Sequence, residues 1–239
     1  MNAEIENMAR HFFGYGRWDA PYWFIGPEQG GGDNPERAAA FSMLQKEKST
    51  PDGLCDCLEF HRVIGENRWH FKAPVDLQWT WKRLMLLLMS FLGRPTENMN
   101  LCEYQRGCWG RACGESCVID LSGLSFKCFR DSGDFYREAG HNPAVSWRNI
   151  RVDRVKSIRD KIRDVKPSLV VLYGYSHWRY WREIAGNDLP ARGAAKRAGN
   201  TVFVLGPHPA AYGTEIDNSD LTWEALGKAA RRATREVNQ

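Results

Sequence analysis

Long hydrophobic runs are absent from the 239-residue sequence, and this absence bears first on membranes. The longest apolar stretches, residues 84–89 and 91–92, are far shorter than the roughly 20 residues that span a bilayer. Residues 1–10 are polar and lack the apolar segment of a secretory signal. We therefore expect a cytoplasmic protein that has no membrane partner.

Glycine, proline and net charge are also low. The 22 Gly and 11 Pro exclude a collagen-like chain, and a hydrophobic fraction of 43% excludes a disordered one. A net charge of +4 is too small by itself to indicate a partner. The charge is uneven, however, because residues 151–239 contain 16 Lys and Arg but only 10 Asp and Glu. This excess favours an anionic partner for the C-terminal third.

The seven cysteines match no common metal-binding motif. Their odd number, in a chain too large to need disulfides, indicates reduced thiols. Zinc ligands usually have two to four residues between them, and among Cys102, Cys108, Cys113 and Cys117 only the pairs 108/113 and 113/117 have this spacing. A metal bound by these cysteines therefore stays an alternative. Buried free thiols are the main expectation, and we predict no cofactor and no metal site.

Aromatic side chains are in excess, with 10 Trp, 8 Tyr and 11 Phe. They suit a large core, and they also suit stacking against bases or sugars. In a helix predicted over residues 151–166, Val152, Val155 and Ile158 recur at helical spacing and are expected to face the core.

Four short apolar segments predict buried strands at residues 22–26, 117–122, 168–173 and 201–205. Helical patterns lie between and after them, whereas residues 33–68 look irregular and polar. This alternation predicts an α/β fold, a three-layer α/β/α arrangement with a central four-stranded, mostly parallel sheet. Functional groups are then expected in the loops at the carboxyl ends of the strands.

Two of these loops carry reactive side chains. Residues 26–32 are rich in glycine but fit neither common phosphate-binding motif, and they offer the carboxylate of Glu28 and the amide of Gln29. The loop after the last strand offers His208, which lies between two prolines and therefore has little backbone freedom. A histidine packed in a rigid turn is the alternative interpretation.

The order of these segments resembles the uracil-DNA glycosylase superfamily. Residues 24–29, Phe-Ile-Gly-Pro-Glu-Gln, stand where that superfamily has Gly-Gln-Asp-Pro-Tyr-His or Gly-Glu-Ala-Pro-Gly. Residues 208–212, His-Pro-Ala-Ala-Tyr, stand where it has His-Pro-Ser-Pro-Leu, and residues 69–71 resemble the segment with its base-stacking Phe. The resemblance implies one domain over residues 1–239, with an insertion at about 33–68.

The resemblance implies a DNA repair enzyme that flips uracil out of DNA and hydrolyses its N-glycosidic bond, leaving an abasic site. Glu28 would position water and stabilise a cationic sugar, and His208 would donate a hydrogen bond to O2 of the departing base. No candidate Schiff-base lysine lies beside the motifs, so no lyase step is expected. The implied enzyme is a nucleoid-associated monomer that acts on DNA containing uracil.

The base pocket departs from the family in two places. Gly30 stands where family 1 has a Tyr that excludes thymine, so exclusion comes from elsewhere or is weak. Asp120 is the nearest match to the base-reading Asn, with Ser122 facing the same way. An ionised Asp accepts from uracil N3–H but cannot donate to O4, unless it is protonated or a backbone N–H serves O4. The alternative role for Asp120 is to cap a neighbouring helix.

The resemblance also implies pocket and DNA contacts elsewhere. Gly26 and Gln29 would form the loop under the base, and Phe71 would stack on it. The DNA-contacting candidates are Pro209, Ala210, Tyr212, Arg192, Lys196 and Arg197, with a solvated charged face as the alternative for the basic ones. Family 4 binds an iron–sulfur cluster through cysteines before its first motif, and no cysteine precedes residue 55 here.

Other functions stay open on the sequence alone. A non-catalytic nucleic-acid-binding protein on the same fold would use Glu28 and His208 structurally. A glycosylase for another deaminated base, or an α/β enzyme acting on a free nucleotide, would keep the same loops.

Overall fold

Seven strands form one mixed sheet in the computed structural model, which describes residues 3–28, 30, 34–47, 49–125, 147–210 and 222–235. The strands are Gly14–Tyr15 (β1), Tyr22–Gly26 (β2), Leu54–Cys55 (β3), Ser116–Asp120 (β4), Leu169–Tyr173 (β5), Ala194–Ala198 (β6) and Thr201–Gly206 (β7). Their order across the sheet is β3-β1-β4-β2-β5-β7-β6. The central strands β4, β2, β5 and β7 are parallel, whereas β1 runs antiparallel to β4 and β6 antiparallel to β7.

The described ranges contain eight α-helices, which cover both faces of the sheet. They are Ala3–His11 (α1), Asn34–Lys46 (α2), Cys57–Val63 (α3), Trp79–Leu92 (α4), Asn98–Gly107 (α5), Trp147–Val165 (α6), Trp178–Ala185 (α7) and Trp223–Ala233 (α8). Side chains of β2 alternate between two hydrophobic cores, because Phe24 packs with α1, α4 and α8 whereas Trp23 and Ile25 pack with α6 and α7. The sheet is therefore the middle layer of three.

The predicted α/β class and three-layer arrangement are confirmed, but the predicted number of strands is wrong. The four predicted strands are the parallel centre of the sheet, β2, β4, β5 and β7. Strands β1 and β3 have two residues each, which is too short for a periodic pattern. Strand β6 is a partly exposed edge strand without an apolar run, so hydrophobicity does not mark it.

The prediction that residues 33–68 are irregular is also wrong. This segment contains α2, β3 and α3, and β3 pairs in parallel with β1. The Asn34-Pro35 pair begins helix α2, because proline is favoured in a first helical turn, where its missing N–H has no partner to lose. The segment therefore extends the sheet rather than lying outside it.

Helix α6 buries two arginines that its sequence pattern assigned to solvent. Val152 was expected on the buried face but is 52% exposed, whereas Arg154 is 1% exposed. The Arg154 guanidinium donates to the backbone oxygens of Leu121 (2.9 Å) and Asp120 (2.7 Å) and lies 4.3 Å from the ring centroid of Phe13. Arg154 thereby fixes the carboxyl end of β4.

We expect Arg154→Met to lower the free energy of unfolding by about 2–6 kcal/mol, because two buried carbonyl oxygens lose their donor at about 1–3 kcal/mol each. Urea unfolding measures this change. The matched control is Arg159→Met, which replaces an exposed arginine of the same helix and should change stability by less than about 0.5 kcal/mol. Equal effects of the two substitutions would contradict the anchoring role.

Within the described ranges, no helix combines the length and the apolar character that crossing a bilayer requires.

Candidate active site

A cleft of about 500 Å³ opens at the carboxyl edge of the parallel strands. It is lined by Glu28 and Gly30 from the loop after β2, by Asp120 at the end of β4, and by His208 after β7. The fold therefore brings together four of the predicted catalytic and base-contacting residues from three separate segments, as expected for loops that leave neighbouring parallel strands.

His208 presents a neutral imidazole to this cleft. Its Nδ1 accepts a hydrogen bond from the backbone N–H of Ala210 (3.1 Å), so the proton of the neutral ring lies on Nε2. Burial lowers the pKa of His208 below its ordinary value, and the ring packs edge-on against Tyr173, with 5.8 Å between centroids. The Nε2–H group is therefore available as a hydrogen-bond donor at neutral pH.

Asp120 presents a nearly inaccessible carboxyl group, since the residue is 4% exposed. Burial raises the pKa of Asp120 to about 7, while the charges of Arg154 and Arg37 oppose the shift. The group is therefore close to half protonated at neutral pH. A protonated carboxyl accepts through its carbonyl oxygen and donates through its hydroxyl, as a carboxamide does.

The loop that carries Glu28 is packed tightly on its neighbours. A Cβ on Gly26 would lie 2.1 Å from the hydroxyl oxygen of Tyr173, so only glycine fits beneath the tyrosine ring. The backbone oxygens of Gly26 and Pro27 accept from the N–H groups of Leu121 (2.9 Å) and Ser122 (3.0 Å). These contacts set the direction in which the chain leaves β2 towards Glu28, whose Oε2 atom is buried.

Three of the expected base contacts, Gly26 included, do not line the cleft. The Ser122 hydroxyl donates to the backbone oxygen of Leu124 (2.9 Å) and accepts from its N–H (3.1 Å), so it is occupied within a turn. Phe71 is 42% exposed and does not line the cleft, whereas Trp69 and Trp81 do. Gln29 falls outside the described residues.

The predicted DNA contacts are divided between the two edges of the sheet. Ala210 lines the cleft, and Arg192 lies just before the start of β6, at the carboxyl edge, with its guanidinium 5.3 Å from the ring centroid of Tyr175. Lys196 donates to the backbone of Asn187 midway along β6.

Arg197 pairs with Val202 at the amino end of β7 and donates to the backbone oxygen of Thr234 (2.7 Å), away from the cleft. Pro209 is buried, and its carbonyl oxygen accepts from Arg83. Tyr212 falls outside the described residues.

Sequence reasoning missed the wall of the cleft opposite His208. Tyr15 of β1, Arg37 of α2 and His61 of α3 line this wall, and the Arg37 guanidinium donates to the Tyr15 hydroxyl (3.1 Å). Two of these residues come from the segment that was expected to be irregular. Sequence spacing holds no signal for them, because the packing of α2 against α1 and the pairing of β3 with β1 bring this segment to the site.

An exposed tryptophan lies beside the His208 loop and was also missed. Trp79 is 64% exposed at the start of α4, between cleft-lining Gln78 and Thr80. The Lys82 ammonium and the Arg83 guanidinium lie 5.5 and 5.6 Å from its ring centroid. Because Arg83 also donates to the backbone of Pro209, this basic and aromatic surface adjoins the His208 loop.

Three possible metal ligands lie close together at the same wall of the cleft, namely Cys57, His61 and His70. The Cys57 Sγ lies 3.6 Å from His61 Nδ1 and 3.7 Å from His70 Nε2, and the two nitrogens are 3.0 Å apart. Within the part of the chain that the structure describes, no other group of His, Cys, Asp and Glu is arranged to hold a metal ion. The sequence signal was the spacing of Cys57 and His61, four residues apart on one helix face.

Burial sets the protonation of these three groups. It lowers the pKa of His61 to about 3, with a further decrease from neighbouring His70, and it lowers the pKa of His70 to about 4. It also raises the pKa of the Cys57 thiol well above its ordinary value. Both imidazoles are therefore neutral at pH 7.

The prediction of buried free thiols holds only in part. Cys55, Cys57 and Cys117 are buried, whereas Cys113 is exposed and Cys102 and Cys108 are partly exposed. The region 102–117 provides α5 and the start of β4 rather than a compact cysteine cluster, so its thiols are spread over several environments.

No model of a known protein family matches the chain, and a search of curated proteins gives no match. The function is therefore argued from the chemistry of the cleft.

Proposed function

We propose that the protein is a monofunctional uracil-DNA glycosylase, which removes uracil from DNA by hydrolysis of the N-glycosidic bond. The observation that carries this proposal is the convergence of Glu28, Asp120 and His208 in one cleft at the carboxyl edge of the sheet. The proposed setting is the cytoplasm, where the protein works on DNA as a monomer.

The three side chains match the charges that develop when this bond breaks. The sugar becomes cationic and the departing base anionic, so the reaction needs a negative group near the sugar and donors near the base. Glu28 supplies the carboxylate and orients the attacking water. The Nε2–H of His208 donates to O2 of uracil, and protonated Asp120 accepts from N3–H and donates to O4.

A lyase step would need a lysine amine that forms a Schiff base with the sugar. None of the described residues that line the cleft is a lysine. The proposed reaction therefore ends at the abasic site.

Two surfaces support DNA binding, one beside the cleft and one at the same edge of the sheet. Trp79 offers an exposed ring between two cations, Lys82 and Arg83, which suits stacking on a base next to phosphates. Arg192 offers a further guanidinium at the same edge of the sheet. Lys196 and Arg197 have no part in this proposal, because their own backbone contacts hold them farther along β6.

A labelled oligonucleotide that carries one uracil tests the proposal. After incubation with the protein and treatment with alkali, we expect cleavage at the uracil position only. Identical oligonucleotides with thymine or cytosine at that position are the controls. Salt-dependent binding without cleavage would favour a non-catalytic nucleic-acid-binding protein, and cleavage at hypoxanthine instead of uracil would favour another deaminated base.

Open space at Gly30 gives a prediction about thymine. Among the described residues, a Cβ built on Gly30 meets no atom within 4 Å, so none of them fills the position where family 1 has its thymine-excluding Tyr. We expect slow excision of thymine from G·T mismatches, and we expect Gly30→Tyr to reduce it by about 10–200-fold relative to uracil excision. Gly107→Ala, at an exposed position at the end of α5 where a Cβ meets no described neighbour within 4 Å, is the control. Complete absence of thymine excision in the unchanged protein would show that another side chain guards the pocket.

A further inference from the structure

The geometry points to a zinc site formed by Cys57, His61 and His70, at the wall of the cleft. This inference goes beyond the glycosylase proposal and does not depend on it. It rests on the positions of three ligand atoms, on the rigidity of the two segments that carry them, and on the shell of side chains around them.

The spacing of the three atoms is that of a tetrahedral site. With Zn–S and Zn–N bonds of about 2.3 and 2.05 Å, tetrahedral angles place a sulfur and a nitrogen about 3.6 Å apart and two nitrogens about 3.3 Å apart. The observed separations are 3.6 and 3.7 Å from the Cys57 Sγ to the two imidazoles and 3.0 Å between the imidazoles. One ion can therefore reach all three atoms after shifts of a few tenths of an ångström.

Helix α3 is held in place before any ion binds. Asp56 caps it by accepting from the N–H groups of Leu58 (3.0 Å) and Glu59 (3.2 Å), and the Arg111 guanidinium donates to the same carboxylate (2.8 Å). The backbone N–H of Cys57 donates to the oxygen of Gly110 (2.9 Å). These bonds fix the first ligand, and the helix then presents His61 one turn later on the same face.

The segment that carries His70 is fixed independently by Gln105 of α5. The Gln105 amide donates to the backbone oxygens of Trp69 and Asp76 (2.9 Å each) and accepts from the N–H of Gln78 (3.0 Å). Residue Gln105 is itself fully buried. Two separately anchored segments thus meet at the three ligand atoms, which is the preorganisation that a metal site requires.

The surroundings shield the site and connect it to the cleft. Cys57, His61 and His70 are 0%, 5% and 2% exposed, and the Trp81 ring lies 5.5 Å from His61 and 6.0 Å from His70. Such a shell limits solvent access to the side that faces the cleft. Because Trp81 and His61 line the cleft, a water molecule from the cleft would supply the fourth position.

Metal content and cobalt spectra of the full chain test this inference. The unchanged protein, treated with chelator and reconstituted with zinc, should bind one zinc per chain. Reconstitution with Co²⁺ should give visible absorption of a tetrahedral site and a thiolate-to-cobalt charge-transfer band. Loss of an outer-shell partner weakens metal binding by up to roughly 100-fold. We expect a larger decrease in zinc affinity for Cys57→Ala and for His70→Asn, because each removes a ligand.

Cys55→Ala is the matched control, because it removes a buried thiol two residues away and should leave zinc binding unchanged. The cobalt spectrum of the unchanged protein keeps the test valid if the variants fail to fold. A protein that binds no zinc after reconstitution, or a cobalt spectrum without a thiolate band, would mean that the three side chains form only a hydrogen-bonded cluster. Neither readout depends on uracil excision, so the two proposals can fail separately.

Discussion

Replacing Glu28 by Gln is expected to lower the rate of uracil excision by about 10²–10⁴-fold, the usual contribution of a positioned general base. The substitution keeps the size of the side chain and removes the charge that would face water and the cationic sugar. DNA binding should change little, so the loss should appear in kcat rather than in KM. Single-turnover excision, with binding measured by fluorescence anisotropy at one fixed salt concentration, separates the two effects.

The same experiment applies to His208. His208→Ala removes the Nε2–H donor aimed at the departing base and should lower the rate by about 10²–10³-fold, as the loss of one oxyanion donor does. Glu103→Gln and His11→Ala, two exposed positions on α5 and α1, are the matched controls and should leave the rate unchanged. Unchanged excision in both cleft variants would exclude the assigned roles.

Asp120→Asn is expected to alter the pH dependence of excision. In the unchanged protein the donor to O4 exists only while Asp120 is protonated, and its pKa is raised to about 7. The rate should therefore fall as pH rises above 7 and should approach a tenfold decrease per pH unit above about pH 8. An Asn donates at every pH, so the variant should lose this decrease and excise uracil about tenfold faster at pH 8.

Other titrating groups near Asp120 do not mimic this effect. Burial lowers the pKa of His208, which therefore stays neutral throughout the range above pH 7, and it raises the pKa of Tyr173 far above that range. Asp153→Asn, an exposed aspartate of α6, is the control and should keep the profile of the unchanged protein.

Stability provides a second readout for Asp120. The folded state holds a proton that the unfolded chain releases near pH 4, so the contribution of Asp120 to stability should fall as pH rises from about 4 to about 7 and then level off. The buried imidazoles of His61 and His70 contribute the opposite trend, so the difference between the unchanged protein and Asp120→Asn isolates Asp120. A shift from 3.8 to about 7 corresponds to about 4 kcal/mol, which Asp120→Asn should recover at pH 8 but not at pH 4. Urea unfolding at both pH values measures it, and equal stability of the two proteins at pH 8 would contradict the raised pKa.

The centre of the fold could be predicted because buried parallel strands are marked by continuous apolar residues. Strands β2, β5 and β7 each form such a run, and β4 ends in the polar residue that reaches the site. The edges could not be predicted in this way. A two-residue strand such as β3 gains its order from pairing with β1, which local sequence does not encode.

The buried arginines of α6 show a second limit of periodicity. Arg154 is buried because backbone oxygens at the end of β4 need a donor, and a hydrophobicity pattern treats every arginine as a surface residue. The true buried face is consequently rotated away from Val152 and includes both Arg151 and Arg154.

For the site, the sequence predicted the functional side chains at the ends of the strands, but it did not predict the side chains of the opposite wall of the cleft. Glu28, Asp120 and His208 follow apolar strands, so the rule for parallel sheets predicts their proximity. Arg37 and His61 lie on helices of segment 34–63 and line the cleft because of how that segment folds. The rule for parallel sheets concerns loops after strands and does not predict their positions. Phe71 was chosen by position in a motif, but the neighbouring Trp69 lines the cleft and Phe71 does not.

Release of the free base tests the central claim most directly. A duplex with a single uracil is incubated with excess protein, and free uracil is quantified by mass spectrometry beside the abasic sites in the DNA. The glycosylase account predicts equal amounts of both products from the unchanged protein and almost none from Glu28→Gln. DNA that is bound, yet yields no free uracil in a single turnover, would contradict it.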